Sequence, residues 1–433
     1  MRLKLKNIGM LKEAELTLHK LCVIAGENDN GKSTVGKIVF CILKAVNRYK
    51  EDLRESKEYT IAEKLQEIYF LLRSETRAAN EGILDQLGML RSISLRSKVN
   101  EESWASICES IEGILEHQEV SAKATEQVQQ IVQDITELIV EPEDAKKQIE
   151  SAFGKIFAAE FDASLLLQGA SEGQIQLFDN DIELLNLKID RESGVSLLSN
   201  VEPIELKDAT FIDSPLILNN HDLLIRSQTL LDMDRRRIGY SGMAYTTLHT
   251  KDLFDKLRQP VMPDDLLSSA KAKQQQDKLA AIVGGTISYE KGARDFVFTR
   301  EQQNVSIKNT ASGIKVFGLL QILLANDFVS EKTMLIFDEP ENHLHPKWQL
   351  KLAELLVEMV SNGIYVLVSS HSPYMIEALK RFSERAGLAD QSGFFLAEQQ
   401  SIRDEDRLED IFQVLSEPFE IFRQMDAEDI RDE

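Results

Sequence analysis

The chain has 433 residues, 43% hydrophobic and 28% charged, which suits a soluble globular protein with two or three domains or one core with insertions. Its 72 acidic and 50 basic side chains sum to −22, so bulk attraction to nucleic acid is not indicated. No stretch nears the roughly 18 apolar residues of a membrane helix, and Cys22, Cys41 and Cys108 lack the paired spacing of a disulfide framework or zinc site, which fits a reducing cytoplasm.

Residues 1–25 alternate apolar and polar, as antiparallel strands would, and Met1-Arg2-Leu3-Lys4-Leu5-Lys6 lacks the apolar core of a signal peptide. Leu21-Cys22-Val23-Ile24-Ala25 reads as a buried strand. It runs into Gly26-Glu27-Asn28-Asp29-Asn30-Gly31-Lys32-Ser33-Thr34, which meets the phosphate-binding pattern G-x-x-x-x-G-K-[ST] at each fixed position. Two glycines let the backbone wrap a phosphate, and the following helix offers its positive end to the anion. Lys32 adds a point charge near the outer phosphates, and the Ser33 hydroxyl is placed to ligate Mg²⁺. Val35, Ile38, Val39, Ile42 and Leu43 then recur at helical spacing, so strand, glycine loop and helix follow in the required order. The candidate nucleotide-binding residues are Gly26, Asn28, Asn30, Gly31, Lys32, Ser33 and Thr34.

Residues 49–165 predict a helical insertion. Ile61, Leu65, Ile68 and Leu72 share one helical face, as do Trp104, Ile107, Ile111 and Ile114, and Val128, Ile131, Ile135 and Leu138. Breaks at Ser74–Asn80 and Ser97–Glu102 favour a folded-back bundle over one long coiled coil. Strands return at Gly173–Phe178, Ile182–Ile189 and Ala209–Ile212, within a stretch (166–215) assigned to the same domain as residues 1–48. Residues 216–280 predict a second helical insertion, with the run Arg235-Arg236-Arg237. That run and Lys4 and Lys6 are the candidate local basic surfaces, so DNA remains a possible partner despite the bulk charge.

Residues 281–400 carry the remaining chemistry. Thr286–Tyr289 and Phe296–Thr299 read as strands. Asn309-Thr310-Ala311-Ser312-Gly313-Ile314-Lys315 opens an apolar helix, either as an anion-binding Ser-Gly start or as a plain helix cap. Thr333-Met334-Leu335-Ile336-Phe337-Asp338-Glu339-Pro340 is an apolar run ending in two carboxylates, the pattern of a buried parallel strand with its ligand end exposed. Asp338 would reach a Mg²⁺ held at Ser33, and Glu339 would orient water against a γ-phosphate. A third such strand, Ile364–Val368, leads into Ser369-Ser370-His371-Ser372-Pro373, where His371 can hydrogen-bond the γ-phosphate. The tail, 401–433, is acidic but carries Ile411, Phe412, Leu415, Phe419, Phe422 and Met425, so it predicts short helices docked on this chain or on a partner.

The order of glycine loop, Ser-Gly pair, Asp-Glu strand and Ser-His resembles the ATP-binding-cassette ATPases, within them the SMC, RecF and OLD-like branch of bacterial anti-phage systems. Phe337-Asp338-Glu339-Pro340-Glu341-Asn342-His343-Leu344-His345-Pro346 and Ser312-Gly313-Ile314-Lys315 carry that likeness, which spans residues 1–48 and 280–380. It implies an α/β fold: an ABC-ATPase head of the P-loop NTPase type, with a mostly parallel sheet, an antiparallel β subdomain and helical insertions. It also implies that two heads sandwich two ATPs, with Ser312, Gly313 and Lys315 of one copy contacting the γ-phosphate held by the other. The expected activity is a cytoplasmic, Mg²⁺-dependent ATPase switch serving a separately encoded effector such as a nuclease; a slowly hydrolysing scaffold and a DNA-maintenance ATPase are the alternatives. Ile314 and Lys315 depart from the transporter-type signature and argue against a transporter subunit. The usual glutamine loop is not identifiable, and Thr210-Phe211-Ile212-Asp213-Ser214-Pro215 is the candidate for its place. Only residues 372–433 follow His371, too few for the nuclease domain of OLD nucleases.

Overall fold

The computed structural model describes residues 1–75, 101–116, 120–140, 145–162, 164–225, 227, 229, 245–259, 270–292, 294–404 and 408–432. The alternating N-terminal segment forms an antiparallel pair, β1 (Arg2–Ile8) and β2 (Leu11–Thr17), whose inward Leu3, Leu5, Leu11, Ala14 and Leu16 are buried. The apolar run is β3 (Leu21–Ala25), buried at every residue. The ladder from β1 continues through β4 (Glu172–Asp179), β5 (Ile182–Asp190) and β6 (Gly194–Leu197), all antiparallel. After β7 (Asp208–Ile212), strands β8 (Thr286–Glu290), β9 (Asp295–Arg300) and β10 (Gln303–Ser306) make a small antiparallel sheet. The last strands are β11 (Thr333–Asp338), β12 (Tyr365–Ser370), β13 (Ser392–Glu398) and β14 (Ser401–Ile402).

Among the described residues the large sheet has eleven strands, in the order β6-β5-β4-β1-β2-β14-β13-β3-β12-β11-β7. Strands β6-β5-β4-β1-β2 pair antiparallel, β14 runs parallel to β2 and antiparallel to β13, and the block β13-β3-β12-β11-β7 is parallel. The fold is therefore mixed α/β, a parallel block joined to an antiparallel portion, as the sequence implied. The parallel register matters most for function. Ala25 pairs with Ser370 and Leu396, Asp338 with Ser369, and Ile212 with Phe337, so the carboxyl ends of these strands finish at one level. Ligands of open parallel sheets bind outside such an edge.

Among the described residues the longer helices are α1 (Lys32–Glu75), α2 (Glu101–Leu115), α3 (Ala122–Val140), α4 (Ala145–Phe161), α5 (Leu248–Arg258), α6 (Ala270–Val283), α7 (Ser312–Ala325), α8 (Pro346–Ser361), α9 (Pro373–Arg385) and α10 (Leu408–Asp432). The chain divides into two compact units, one of residues 1–47 and 149–433, the other of residues 48–148. In the second unit the three helical stripes face one another. Ile61, Leu65, Ile68 and Leu72 share a core with Trp104, Ile107, Ile111, Ile114, Val128, Ile131 and Ile135. Lys64 pairs with Asp134 at 2.7 Å, and Trp104 Nε1 donates to Thr136 Oγ1 at 3.0 Å.

Two boundaries differ from the sequence expectation. The second unit ends at Gln148, not 165, because α4 serves the first unit: Leu197 of β6 donates its backbone N–H to Glu150 at 2.8 Å, and His249 of α5 binds Glu160. The described part of 216–280 is not a separate insertion. Leu253, Phe254 and Leu257 of α5 and Leu279 and Val283 of α6 lie in the main core of the first unit. Helical periodicity reports an apolar face, and it does not say which surface covers that face. Arg235–Arg237 lie outside the described residues. Lys4 is neutralised by Glu15 at 2.9 Å, and Lys6 stands opposite Glu13 in the β1–β2 register. The tail begins as a strand, β14, against β2 and β13, and Asp404 accepts from Thr17 N at 2.8 Å and Thr17 Oγ1 at 2.6 Å. Ile411 is buried in the main core, with Phe412 and Leu415 packed against it. Among the described residues no helix is long and apolar enough to cross a membrane.

Candidate functional site

The glycine loop joins the carboxyl end of β3 to the first turn of α1, so its shape follows from where those two elements end. Gly26 has φ +147°, and a Cβ there would meet the Ala397 carbonyl oxygen at 2.3 Å. Gly31 has φ +85°, and a Cβ would meet Leu11 Cδ2 at 2.5 Å. Neither position admits a side chain without distorting the loop. Asn28 is exposed at the loop tip, Asn30 accepts from Gln400 N at 3.3 Å, and Thr34 N donates to the Gly31 carbonyl at 3.1 Å. Lys32 opens the helix almost wholly buried, with Nζ donating to the Glu27 carbonyl at 2.7 Å and 3.7 Å from Glu339 Oε1.

Asp338, the last residue of β11, comes within reach of this loop although β12 lies between their strands. Ser33 Oγ donates to Asp338 Oδ1 at 2.8 Å, and Ser369 at the end of β12 donates to the same oxygen. Glu339 follows in the left-handed region (φ 48°, ψ 53°), its N–H donating to the Ser369 carbonyl at 2.9 Å. That turn redirects the chain at the strand end and points the Glu339 carboxylate back over the loop. Its Oε2 accepts from Asn342 Nδ2 at 2.9 Å, and its Oε1 lies 3.4 Å from His371 Nδ1. Burial opposes ionisation of Glu339, but the Asn342 hydrogen bond and the neighbouring His371 and Lys32 outweigh it and hold the carboxyl below its ordinary range. Glu339 is thus a carboxylate at neutral pH, the form a general base requires.

These groups fit a nucleotide with Mg²⁺. A hydroxyl and a carboxylate converge at 2.8 Å, beside a buried lysine and a loop whose glycines leave room for no Cβ. Among the described residues no three His, Cys, Asp or Glu side chains are grouped to hold a metal. A cation here would take Ser33 and Asp338 and complete its shell from phosphates and water, as Mg²⁺ commonly does.

The structure places the other predicted residues elsewhere. Ser312 is the first residue of α7 rather than its cap, which is Ala311, and its hydroxyl reaches the His343 carbonyl at 3.4 Å. Gly313 lies against Trp348, where a Cβ would come within 3.2 Å of the indole. Lys315 corrects the expectation that it faces a neighbour's phosphate. It is 3% exposed and donates to Asn219 Oδ1 at 2.8 Å, so its cation is held inside this chain. Burial lowers its pKa.

Three further groups at or near these contacts carry no sequence signal of their own. Ser369 is marked only by its place in a Ser-Ser-His run. Glu341 lay inside the Asp-Glu string without a role, and it is buried against the His371 segment. His249 carried no motif at all. Its Nδ1 lies 2.6 Å from Glu160 Oε1 and its Nε2 lies 3.4 Å from Asp213 Oδ2, just past the end of β7.

Residues 205–377, less than half of the chain, match a family described as "AAA domain, putative AbiEii toxin, Type IV TA system". That stretch holds Ser312, Asp338, Glu339 and His371 but not the glycine loop. No curated protein matches the chain. Among solved structures, the SMC head domain from Thermotoga maritima is similar at 10% identity over 93% of this chain and 96% of that one, with a TM-score of 0.37. The Smc head with an extended coiled coil, derived from Pyrococcus furiosus and bound to the C-terminal domain of ScpA, gives 11% identity, 96% and 98% coverage, and a TM-score of 0.35. An ATP-binding cassette of an ABC transporter in its ADP conformation gives 9% identity, 96% coverage of both chains, and a TM-score of 0.34.

Proposed function

We propose that the chain is a Mg²⁺-dependent ATPase that works as a conformational switch. The observation that carries this reading is the meeting of Lys32, Ser33, Asp338, Glu339 and His371 at one edge of the parallel strands. Ser33 and Asp338 would hold Mg²⁺, which would supply positive charge against the phosphates. Lys32 exchanges the Glu27 carbonyl for the outer phosphates. Glu339 orients a water against the γ-phosphorus and takes its proton, while ADP leaves with the bridging oxygen. His371, held beside Glu339, contacts the γ-phosphate.

Ser312 and Gly313, half-buried at the start of α7, close in this reading on a nucleotide held by a second copy. ATP then joins two heads and hydrolysis parts them. The matched family's description names a toxin of type IV toxin–antitoxin systems, and the motif string resembles OLD-like anti-phage ATPases. Both support a cytoplasmic defence role with a separate effector, such as a nuclease, acting on the switch.

Glu339→Gln tests the reading, since it keeps volume and loses the base. ATP affinity should stay within about threefold while turnover falls roughly 10²- to 10⁴-fold. With ATP and Mg²⁺, two-copy complexes should accumulate on gel filtration; nucleotide trapping replaces this readout if the protein is already oligomeric. Parental turnover in Glu339→Gln would rule out the assigned site, and monomers alone would count against closure.

A further inference from the structure

Glu341 sits two residues beyond Glu339, in the 3-10 turn Pro340–His343, and is 5% exposed. No lysine or arginine pairs with it among the described ion pairs. A buried carboxylate is retained only where donors compensate for lost hydration. Here the donors are three consecutive residues, the last of β12 and the two that follow it. Oε1 accepts from Ser370 Oγ at 2.7 Å, His371 N at 2.8 Å and Ser372 N at 3.1 Å. Oε2 is buried without a protein partner, so the whole grip of the side chain is exerted through one oxygen on this segment. The far side of the segment is tied as well: Ser372 Oγ donates to Gln349 Oε1 at 2.7 Å. His371 projects from the middle of the clamped stretch, with Nδ1 at 3.4 Å from both Glu339 Oε1 and Glu341 Oε1.

We propose that Glu341 is a positioning residue of the ATP site, whose carboxylate clamps the Ser370–Ser372 backbone and thereby holds the His371 ring against Glu339. The assignment rests on the ATPase reading above. It acts through the reach of one acceptor oxygen, so reach and charge can be separated. Glu341→Gln keeps the reach and loses the charge. Glu341→Asp keeps the charge and withdraws the oxygen by one methylene.

Turnover and ATP affinity should be measured for both variants, together with hydrogen exchange at the His371 and Ser372 amides. Glu341→Gln should keep kcat within about threefold and leave both amides protected. Glu341→Asp should lose at least about tenfold in kcat, with ATP affinity within about threefold because the glycine loop is untouched, and both amides should exchange faster. In the His371→Ala background, Glu341→Asp should slow turnover by no more than about twofold further, since it acts through that ring. Glu341→Asp at parental kcat, or an equal loss of kcat in both backgrounds, overturns the proposal, as do unchanged amides. The exchange readout needs no turnover. Amides that respond as expected in a protein whose parent does not hydrolyse ATP sustain the clamp and refute the ATPase reading.

Discussion

Raising the pH from 6 to 10 should remove about 3 kcal/mol of stability from the first unit through one side chain, His249. The ring is 3% exposed and lies edge-on to Phe40 and tilted against Phe211. The charged groups facing it are Glu160 on α4 and Asp213 after β7, and Lys37 on α1 lies 3.6 Å from Glu160. Burial alone would lower its pKa; hydrogen bonds to Asp213 and Glu160 and their charges outweigh burial and raise it from 6.5 to about 9. A folded-state pKa above the unfolded one stabilises fully below about 6.5 and loses that contribution as pH climbs through about 9. The shift of about 2.5 units, at 1.36 kcal/mol each, gives the figure of about 3 kcal/mol. The chain has two tryptophans, Trp104 in the second unit and Trp348 in the first, so Trp104→Phe leaves a fluorophore that reports the first unit. Urea unfolding of that protein should be compared across pH with its His249→Gln counterpart, because other groups also titrate in this range. The difference in stability between the two should shrink by about 3 kcal/mol from pH 6 to pH 10. A His249 imidazole that titrates near 6.5 by NMR, or a variant with the same pH slope as its parent between 6.5 and 9, refutes the reasoning.

Lys32→Ala removes a buried cation from the loop and should abolish detectable ATP binding in calorimetry along with turnover; unchanged hydrolysis would show that the loop has been misassigned. Ser312→Arg should keep ATP affinity within about threefold but block turnover, and mixing it with Lys32→Ala should restore part of the activity, because one of the two shared sites is then intact. Hydrolysis by Ser312→Arg at the parental rate eliminates shared sites. Leu65→Ala opens a cavity at a fully buried position of the second unit and should cost about 2–5 kcal/mol in urea unfolding followed by Trp104 in a Trp348→Phe background. A cost under about 1 kcal/mol would mean that the stripe is not a packed core.

The sequence by itself determined the residues of the loop and the identity of the strands. Phosphate binding needs glycines, a lysine and a hydroxyl at set spacing. Buried strands such as β3, β11 and β12 must be continuously apolar because both faces are covered, so Gly26–Thr34, Asp338 and His371 were legible as strings. It also determined which residues of α1, α2 and α3 are inward, because 3.6-residue periodicity marks a face. What faces that side is a tertiary matter. Only the fold assigned α4 to the first unit, drew α5 and α6 into its core and turned Lys315 onto Asn219. Only the parallel register, with β12 between β3 and β11, brought Ser33 to Asp338 across 305 positions of sequence and set Ser369 beside them. Glu341 and His249 were silent for the same reason. A carboxylate or an imidazole takes its role from the partners that burial forces on it. Those partners, the His371 segment for one and Glu160 and Asp213 for the other, come from distant parts of the chain that meet only in the packed structure.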